Sequence, residues 1–269
     1  MYYRLLTEKN KHMKRILTII TMSWITVTTL QAQEYKVAKS TGRLEIKEVN
    51  NVTIEGYSGN EIIFSARGGK ADRDERAEGL RSVNRDGLED NSGIGLSVVD
   101  KGATIEVQQM KRMGGPDVII KVPKGVVVSY QHSSPYGSEV EFKNVESEIE
   151  VSTLHNKVIL DNVTGPVTIK TVHGDIDATF GANIKAPVSI VSVHGHVDVA
   201  LPLATKASMR MGTVYGEIFV DPAFKLEIDR GSSGSLVKYS SDNITGKING
   251  GGLEINLNST HNSVYLRKK

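Results

Sequence analysis

The chain has 269 residues, 39% hydrophobic and 24% charged, with 33 Lys and Arg against 31 Asp and Glu. This is ordinary globular composition and excludes a low-complexity or disordered chain. The sequence contains no cysteine, which excludes disulfides, thiolate metal sites, a cysteine nucleophile and a lipidated N-terminal cysteine.

In chain order, Lys14 and Arg15 precede an uncharged apolar run from Ile16 to Leu30, and the small residue Ala32 follows. A basic start, a short apolar stretch and a small residue describe a secretory signal peptide over residues 1–32, cut after Ala32. The apolar run is short of the roughly 20 residues that a spanning helix needs. Met13 reads as the start, and residues 1–12 as an upstream extension. The leader holds five basic residues and one acidic residue, so the mature part carries 28 against 30, a net charge of −2. The apparent basicity belongs to the leader, and no basic block argues for nucleic acid. The expectation is an exported protein of the periplasm or cell surface, not lipid-anchored and without a transmembrane helix after cleavage.

Residues 33–269 read as a single β-strand-repeat domain. The runs LEIKEV, VTIEGY, EIIFSA, LSVV, ATIEVQ, VIIKVP and VVVSYQ lie between Leu44 and Gln131. Each is rich in Val and Ile, alternates with polar residues and is bounded by Gly, Asn, Asp or Pro, as strands are. Residues 70–91 are highly charged and poor in β-branched residues. They read as a solvated loop with a helical turn near Arg73–Ser82.

The clearest repeats span residues 147–269. IEVSTLHNKVIL, VTIKTVHGDIDA, VSIVSVHGHVDV, MRMGTVYGEIFV and INLNSTHNSVYL align on His155, His173, His194, Tyr215 and His261. The first three spacings are 18, 21 and 21 residues, and the last is 46. A degenerate copy around Ser241, Asp242, Asn243 and Ile244 would fill the long gap. Two residues before each ring stand Thr153, Thr171, Ser192, Thr213 and Ser259, and alternate positions on both sides are mostly apolar. Each repeat therefore supplies two half-buried strands around a turn.

The residue after the ring is Asn156, Gly174, Gly195, Gly216 or Asn262. Gly and Asn tolerate positive φ, so these structural turn positions are expected to be left-handed bends. A fixed period near 21 residues predicts an all-β fold, a parallel β-solenoid or β-helix-like stack with one repeat per coil. The alternative is a meander of β-hairpins in which His-Gly forms a two-residue loop.

The repeated TVHGDI, SVHGHV and TVYGEI turns, the VTGPVTIKT segment and the ending GKINGGGLEINL…VYLRKK resemble an adhesin-like family of exported β-strand-repeat proteins, the domain of unknown function 4097 type. The resemblance covers roughly Tyr35 to the end. It implies a β-helix-like fold in a cell-envelope setting and no established activity, so it assigns no residue a role.

In a stack, His155, His173 and His194 would lie on successive coils about 5 Å apart. With Asp175 and Asp177 nearby they could bind Zn²⁺ or Cu²⁺. Tyr215 in the same column instead favours a ladder of surface turns, and no metal or cofactor is assigned. A polysaccharide-active β-helix enzyme would need carboxylates converging in a cleft. Asp175, Asp177, Asp198 and Glu217 stand at solvent-facing repeat positions instead, and His132-Ser133-Ser134 makes no triad by spacing. GSSGS at 231–235 and NGGG at 249–252 lack a following Lys-Ser/Thr and read as turns.

The sequence thus predicts a non-enzymatic envelope scaffold or binding protein with no catalytic residues. Its binding face holds His173, Asp175, His194, His196, Asp198 and Glu217. Its partner is an envelope protein or polysaccharide.

Overall fold

Alternation of apolar and polar residues makes strands along most of the described residues. The computed structural model describes residues 34–67, 75–77, 79–185, 187–229 and 242–269. The expected leader, Arg73, Asp74 and Glu78 of the expected helical turn, GSSGS at 231–235, and Ser241 of the expected degenerate copy lie outside them. The first strands are β1 (Glu34–Val37), β2 (Thr41–Lys47), β3 (Asn51–Tyr57), β4 (Ile62–Arg67), β5 (Leu96–Asp100), β6 (Thr104–Gln109), β7 (Asp117–Pro123) and β8 (Gly125–His132). The repeats supply β9 (Glu139–Lys143), β10 (Ile149–Thr153), β11 (Lys157–Val163), β12 (Val167–Thr171), β13 (Ile176–Phe180), β14 (Val188–Ser192) and β15 (Val197–Leu201). The last are β16 (Ala207–Thr213), β17 (Ile218–Val220), β18 (Leu226–Ile228), β19 (Asp242–Ile248), β20 (Leu253–Ser259) and β21 (Val264–Lys268). All seven expected N-terminal runs are strands. Among the described residues of the charged stretch, a 3-10 turn covers Glu75–Ala77. Among the described residues no helix is long and apolar enough to cross a membrane.

The strands form two sheets. The first runs β1-β4-β7-β3-β9-β11-β13-β15-β21-β17, and the second β18-β19-β16-β20-β14-β12-β10-β8-β2-β6-β5. Each central coil contributes one strand to each sheet. β12 lies parallel to β10 and β14, pairing Thr171 with Thr153 and Ser192. β13 lies parallel to β11 and β15 in the other sheet. This is the parallel solenoid. The hairpin meander is excluded, because β12 does not pair with β13, the strand that follows it. The inward residues of both sheets meet in one core, with Ile149, Val158, Leu160, Ile169, Ile176, Phe180, Ile190 and Val197 all buried. Burying both strands of every coil is what makes the short turns between them worthwhile.

Two expectations about the repeat order are corrected. β14 pairs with β20, Val188 opposite Ile255, and β20 pairs in turn with β16, Ile255 opposite Met209. The last repeat in sequence is therefore inserted between the third and fourth. The expected degenerate copy at 241–244 is no repeat either. β19 runs antiparallel to β16, with Asp242 opposite Thr213. Antiparallel strands finish both ends of the stack: β18 and β19 at one, and β1, β4 and β5 at the other. They replace most of the long parallel edge that a bare solenoid would expose to other chains.

Candidate functional site: a ring ladder on the turn edge

The turns are built from the hydroxyl column. Thr153, Thr171, Ser192, Ser259 and Thr213 are all buried. In four of the turns the hydroxyl accepts the N–H three residues on: Asn156 N at 3.3 Å, Gly195 N at 2.9 Å, Asn262 N at 3.1 Å and Gly216 N at 2.9 Å. The same groups donate to turn oxygens, as Thr171 Oγ1 does to Gly174 O at 2.7 Å and Ser259 Oγ to Gly195 O at 2.8 Å. A hydroxyl serves here because it both donates and accepts, satisfying backbone groups that the sheets leave behind. The column is structural, and the ring residue, two positions later, is pushed outward.

The left-handed assignment is corrected. Among the described residues positive φ falls at Glu48, Asn144, Asn162, Asn249 and several glycines, but at none of Asn156, Gly174, Gly195, Gly216 and Asn262. Glycine is required for another reason. A Cβ on Gly174 would lie 1.9 Å from Asn156 O, one on Gly195 2.1 Å from Gly174 O, and one on Gly216 2.2 Å from Asn262 O. Adjacent coils touch backbone to backbone at this corner.

Outside the corner the rings stack in the order His155, His173, His194, His261 and Tyr215. Successive centroids are 4.9, 4.8, 4.5 and 4.9 Å apart, with planes within 10° of parallel. His261 thus stands between His194 and Tyr215, which reverses the sequence order of the last two. Imidazole lone pairs lie in the ring plane, and nearly parallel planes share no nearby point. One ion therefore cannot be ligated by two neighbouring rungs without turning them. Among the described residues no three His, Asp or Glu side chains converge as metal ligands would.

Beside the ladder, on the first sheet, runs a charged row. His196 lies between two carboxylates, with Nδ1 3.1 Å from Asp175 Oδ1 and Nε2 2.9 Å from Asp177 Oδ1. Its backbone N–H also donates to Asp175 at 2.9 Å. Lys157 Nζ reaches the other oxygen of Asp177 at 2.7 Å. One row further out, Arg267 Nε donates to Asp198 at 2.8 Å and lies 5.2 Å from the Tyr265 ring centre, and Tyr265 stacks on Phe219 at 5.1 Å. The structure thus brings His173, His194, Asp175, His196 and Asp198 to one edge. Glu217 lies on the same edge, but Ser263 is inserted between it and His196, because β21 lies between β15 and β17. Tyr265, Phe219 and Arg267 were missed by the sequence reading. Their signal was the period-two continuation of the last repeat, hidden by its displaced place in the stack.

Burial pushes the Asp177 carboxyl up, but Lys157 and His196 outweigh it and hold it below its ordinary value. A depressed folded pKa stabilises fully above the unfolded value and fades as pH falls through the folded one. The group is partly exposed, so the effect is screened and small. Asp177→Asn should lower the melting temperature slightly at neutral pH and not at pH ~2.5. An equal loss at both pH values would contradict the ion-pair assignment.

A second concavity, about 630 Å³, lies near the other end of the stack and is lined by Glu48, Asn50, Gln109, Arg112, Ser133 and Tyr136 among others. Glu48 has φ 52°. Its carboxylate accepts Ser133 Oγ at 2.7 Å, Ser133 N at 2.9 Å and Ser134 N at 3.2 Å. Burial pushes this carboxyl up, but these donors leave it below its ordinary value. His132 Nε2 instead lies 3.0 Å from Asn50 Oδ1, and burial lowers its pKa. His132 Nε2 also lies 4.0 Å from Glu48, so Ser133 and His132 meet through that carboxylate, and among the described residues no hydrogen bond joins them directly.

The family described as Toastrack DUF4097 matches residues 8–266. No curated protein matches the chain. Two solved structures are similar over most of its length. A candidate cell adhesion protein from Clostridium sporogenes is 14% identical, with a TM-score of 0.40, over 89% of this chain and 100% of that one. A candidate adhesin from Bacteroides fragilis is 12% identical, with a TM-score of 0.36, over 88% of this chain and 96% of that one.

Proposed function

We propose, from the premise that this chain belongs to the Toastrack DUF4097 family, that it is an exported, non-enzymatic binding scaffold of the cell envelope. The ring ladder and its charged row would be the contact surface for an extended partner, an envelope polysaccharide or protein. The observation that carries this reading is repetition. The ladder offers near-equivalent rings at intervals of 4.5–4.9 Å along a straight edge. A row of like units suits a ligand that is itself extended and repeating. Catalysis uses the opposite arrangement, with unlike groups gathered on one reacting bond.

The test is a screen of purified protein against envelope polysaccharides that follows both retention and product release. Binding should be spread over several coils. A neutral polymer would hydrogen-bond these carboxylates, so Asp175→Asn, Asp198→Asn and Glu217→Gln should each weaken its retention about twofold to threefold, and the triple change should weaken it roughly tenfold or more, as near-independent contacts add. Turnover of any substrate that one of these changes abolishes would replace the scaffold with an enzyme.

A further inference from the structure

The ladder histidines differ from the other two described histidines. His196 has both ring nitrogens against carboxylates, and His132 is buried beside Asn50. His155, His173, His194 and His261 are exposed. Among the described residues no hydrogen bond engages their ring nitrogens, and their side-chain contacts are ring on ring. The backbone beneath them is fixed by the buried hydroxyls and by the carbonyl contacts of the glycine corner. The result is a row of imidazole edges open to solvent on a fixed backbone.

Neutral rings stack at this spacing without penalty, whereas neighbouring imidazolium ions repel one another. His194, inside the ladder, shows the consequence: desolvation first, then His261 and His173, lower its pKa. A polymer carrying regularly spaced negative groups would cancel that repulsion and hold several rungs at once. We propose that the ladder is a proton-linked site for a linear polyanion, a polymer bearing phosphate or carboxylate groups, which lies along the stacked rings and is gripped as they take up protons. The proposal rests on reading this edge as the binding surface and names the class of partner.

The surroundings permit it. On the first-sheet side stand Lys157, Asp175, His196 and Glu217, with Asp175 already engaged by His196. At the foot stand His132 and Glu48, whose carboxylate is taken by Ser133 and Ser134. On the second-sheet side the outward charges include Lys170, Arg210 and Glu254, while Glu150 is paired with Arg43, and Lys47 at the foot with Glu45 and Glu106. Glu217, beside Tyr215 at the head, repels an anion, so the grip centres on His173, His194 and His261. The sign follows from linkage: the charged rings bind, so affinity rises as pH falls and the rings take up protons, and is lost as pH rises and they release them.

The test is calorimetric titration of the purified chain with sodium polyphosphate and with polygalacturonate, using dextran as the neutral control. Titrations at pH ~5.5 and ~8, in two buffers of different ionisation enthalpy, count the protons taken up. Binding should tighten roughly tenfold or more at the lower pH, with net proton uptake. Which polymer binds identifies phosphate or carboxylate as the group recognised. Combining His155→Gln, His173→Gln, His194→Gln and His261→Gln keeps polar edges that cannot charge, and should abolish the pH dependence while leaving the melting temperature at pH ~8 nearly unchanged. If this quadruple variant does not fold, His194→Gln alone should reduce proton uptake. Binding without proton uptake, pH dependence that survives undiminished in the quadruple variant, or no binding of either polyanion at the lower pH would overturn the proposal. Retention of a neutral envelope polymer, unaffected by pH, would overturn it and leave the scaffold reading intact.

Discussion

Gly195→Ala should cost roughly 3 kcal/mol, the upper range for forcing atoms into a filled site, and lower the melting temperature by roughly 6–12 °C for a domain of this size. The added Cβ would lie 2.1 Å from Gly174 O, 2.5 Å from Gly174 C and 2.8 Å from Asp175 N. All three are backbone atoms, held by parallel pairing of β13 with β15 and by the Thr171 and Ser192 hydroxyls that donate to Gly174 O, so none can swing away as a side chain would. Gly195→Asn should lose about as much as Gly195→Ala, because the offending atom is the same. A left-handed bend would give a different order, with Asn mild because it tolerates positive φ. Thermal melts of the two variants decide between these. A nearly neutral Asn variant would overturn the close-approach explanation.

Asn156→Gly should cost roughly 2–4 kcal/mol although it installs the residue that three of the other turns carry at this position. Asn156 is fully buried. Its Oδ1 accepts Thr153 Oγ1 at 2.9 Å, and its Nδ2 donates to Tyr130 Oη at 2.9 Å and to Asn50 O at 3.1 Å. Tyr130, itself buried, passes its proton on to Val49 O at 2.7 Å. Removing the amide takes a partner from two buried hydroxyls, those of Thr153 and Tyr130, each costing about 1–3 kcal/mol when left short, and from the half-buried Asn50 carbonyl, which keeps the Ser138 N–H. Chemical denaturation should show a lower midpoint at an unchanged slope. A loss below ~0.5 kcal/mol would mean that water replaces the amide and that the network contributes little. Tyr130→Phe, which removes only one hydroxyl, should cost less than Asn156→Gly.

These two changes also separate what each source of information can give. The sequence places both residues in one column and makes them equivalent. The structure makes one a steric necessity and the other the hub of a polar network. The difference lies in what stands on the neighbouring coil: a carbonyl above Gly195, and Asn50 and Tyr130 beside Asn156. Those neighbours come from far along the chain, so local pattern does not carry them.

The sequence by itself determined the strands, the two-strand repeat and the ring column, because each follows from short-range periodicity: alternation buries one face, and recurrence near 21 residues repeats the unit. It left a hairpin meander open beside the parallel stack, and only the pairing of β12 with β10 and β14 decided between them. The hydroxyl column was legible too, since a buried Ser or Thr two residues before each ring bonds groups within its own turn or the adjoining one. Only the tertiary structure decided the order of the coils. β20 and β21 return to lie between the third and fourth repeats, and a twelve-residue match is blind to such a return because each coil offers nearly the same edge to any partner. That choice puts His261 against His194 and Ser263 between His196 and Glu217. It also made β19 an antiparallel strand at the end of the stack, since its alternating residues fit either strand direction and only the edge left open by β16 selects one. The chemistry of the turn edge therefore depends on which coils become neighbours, a long-range packing choice among similar surfaces.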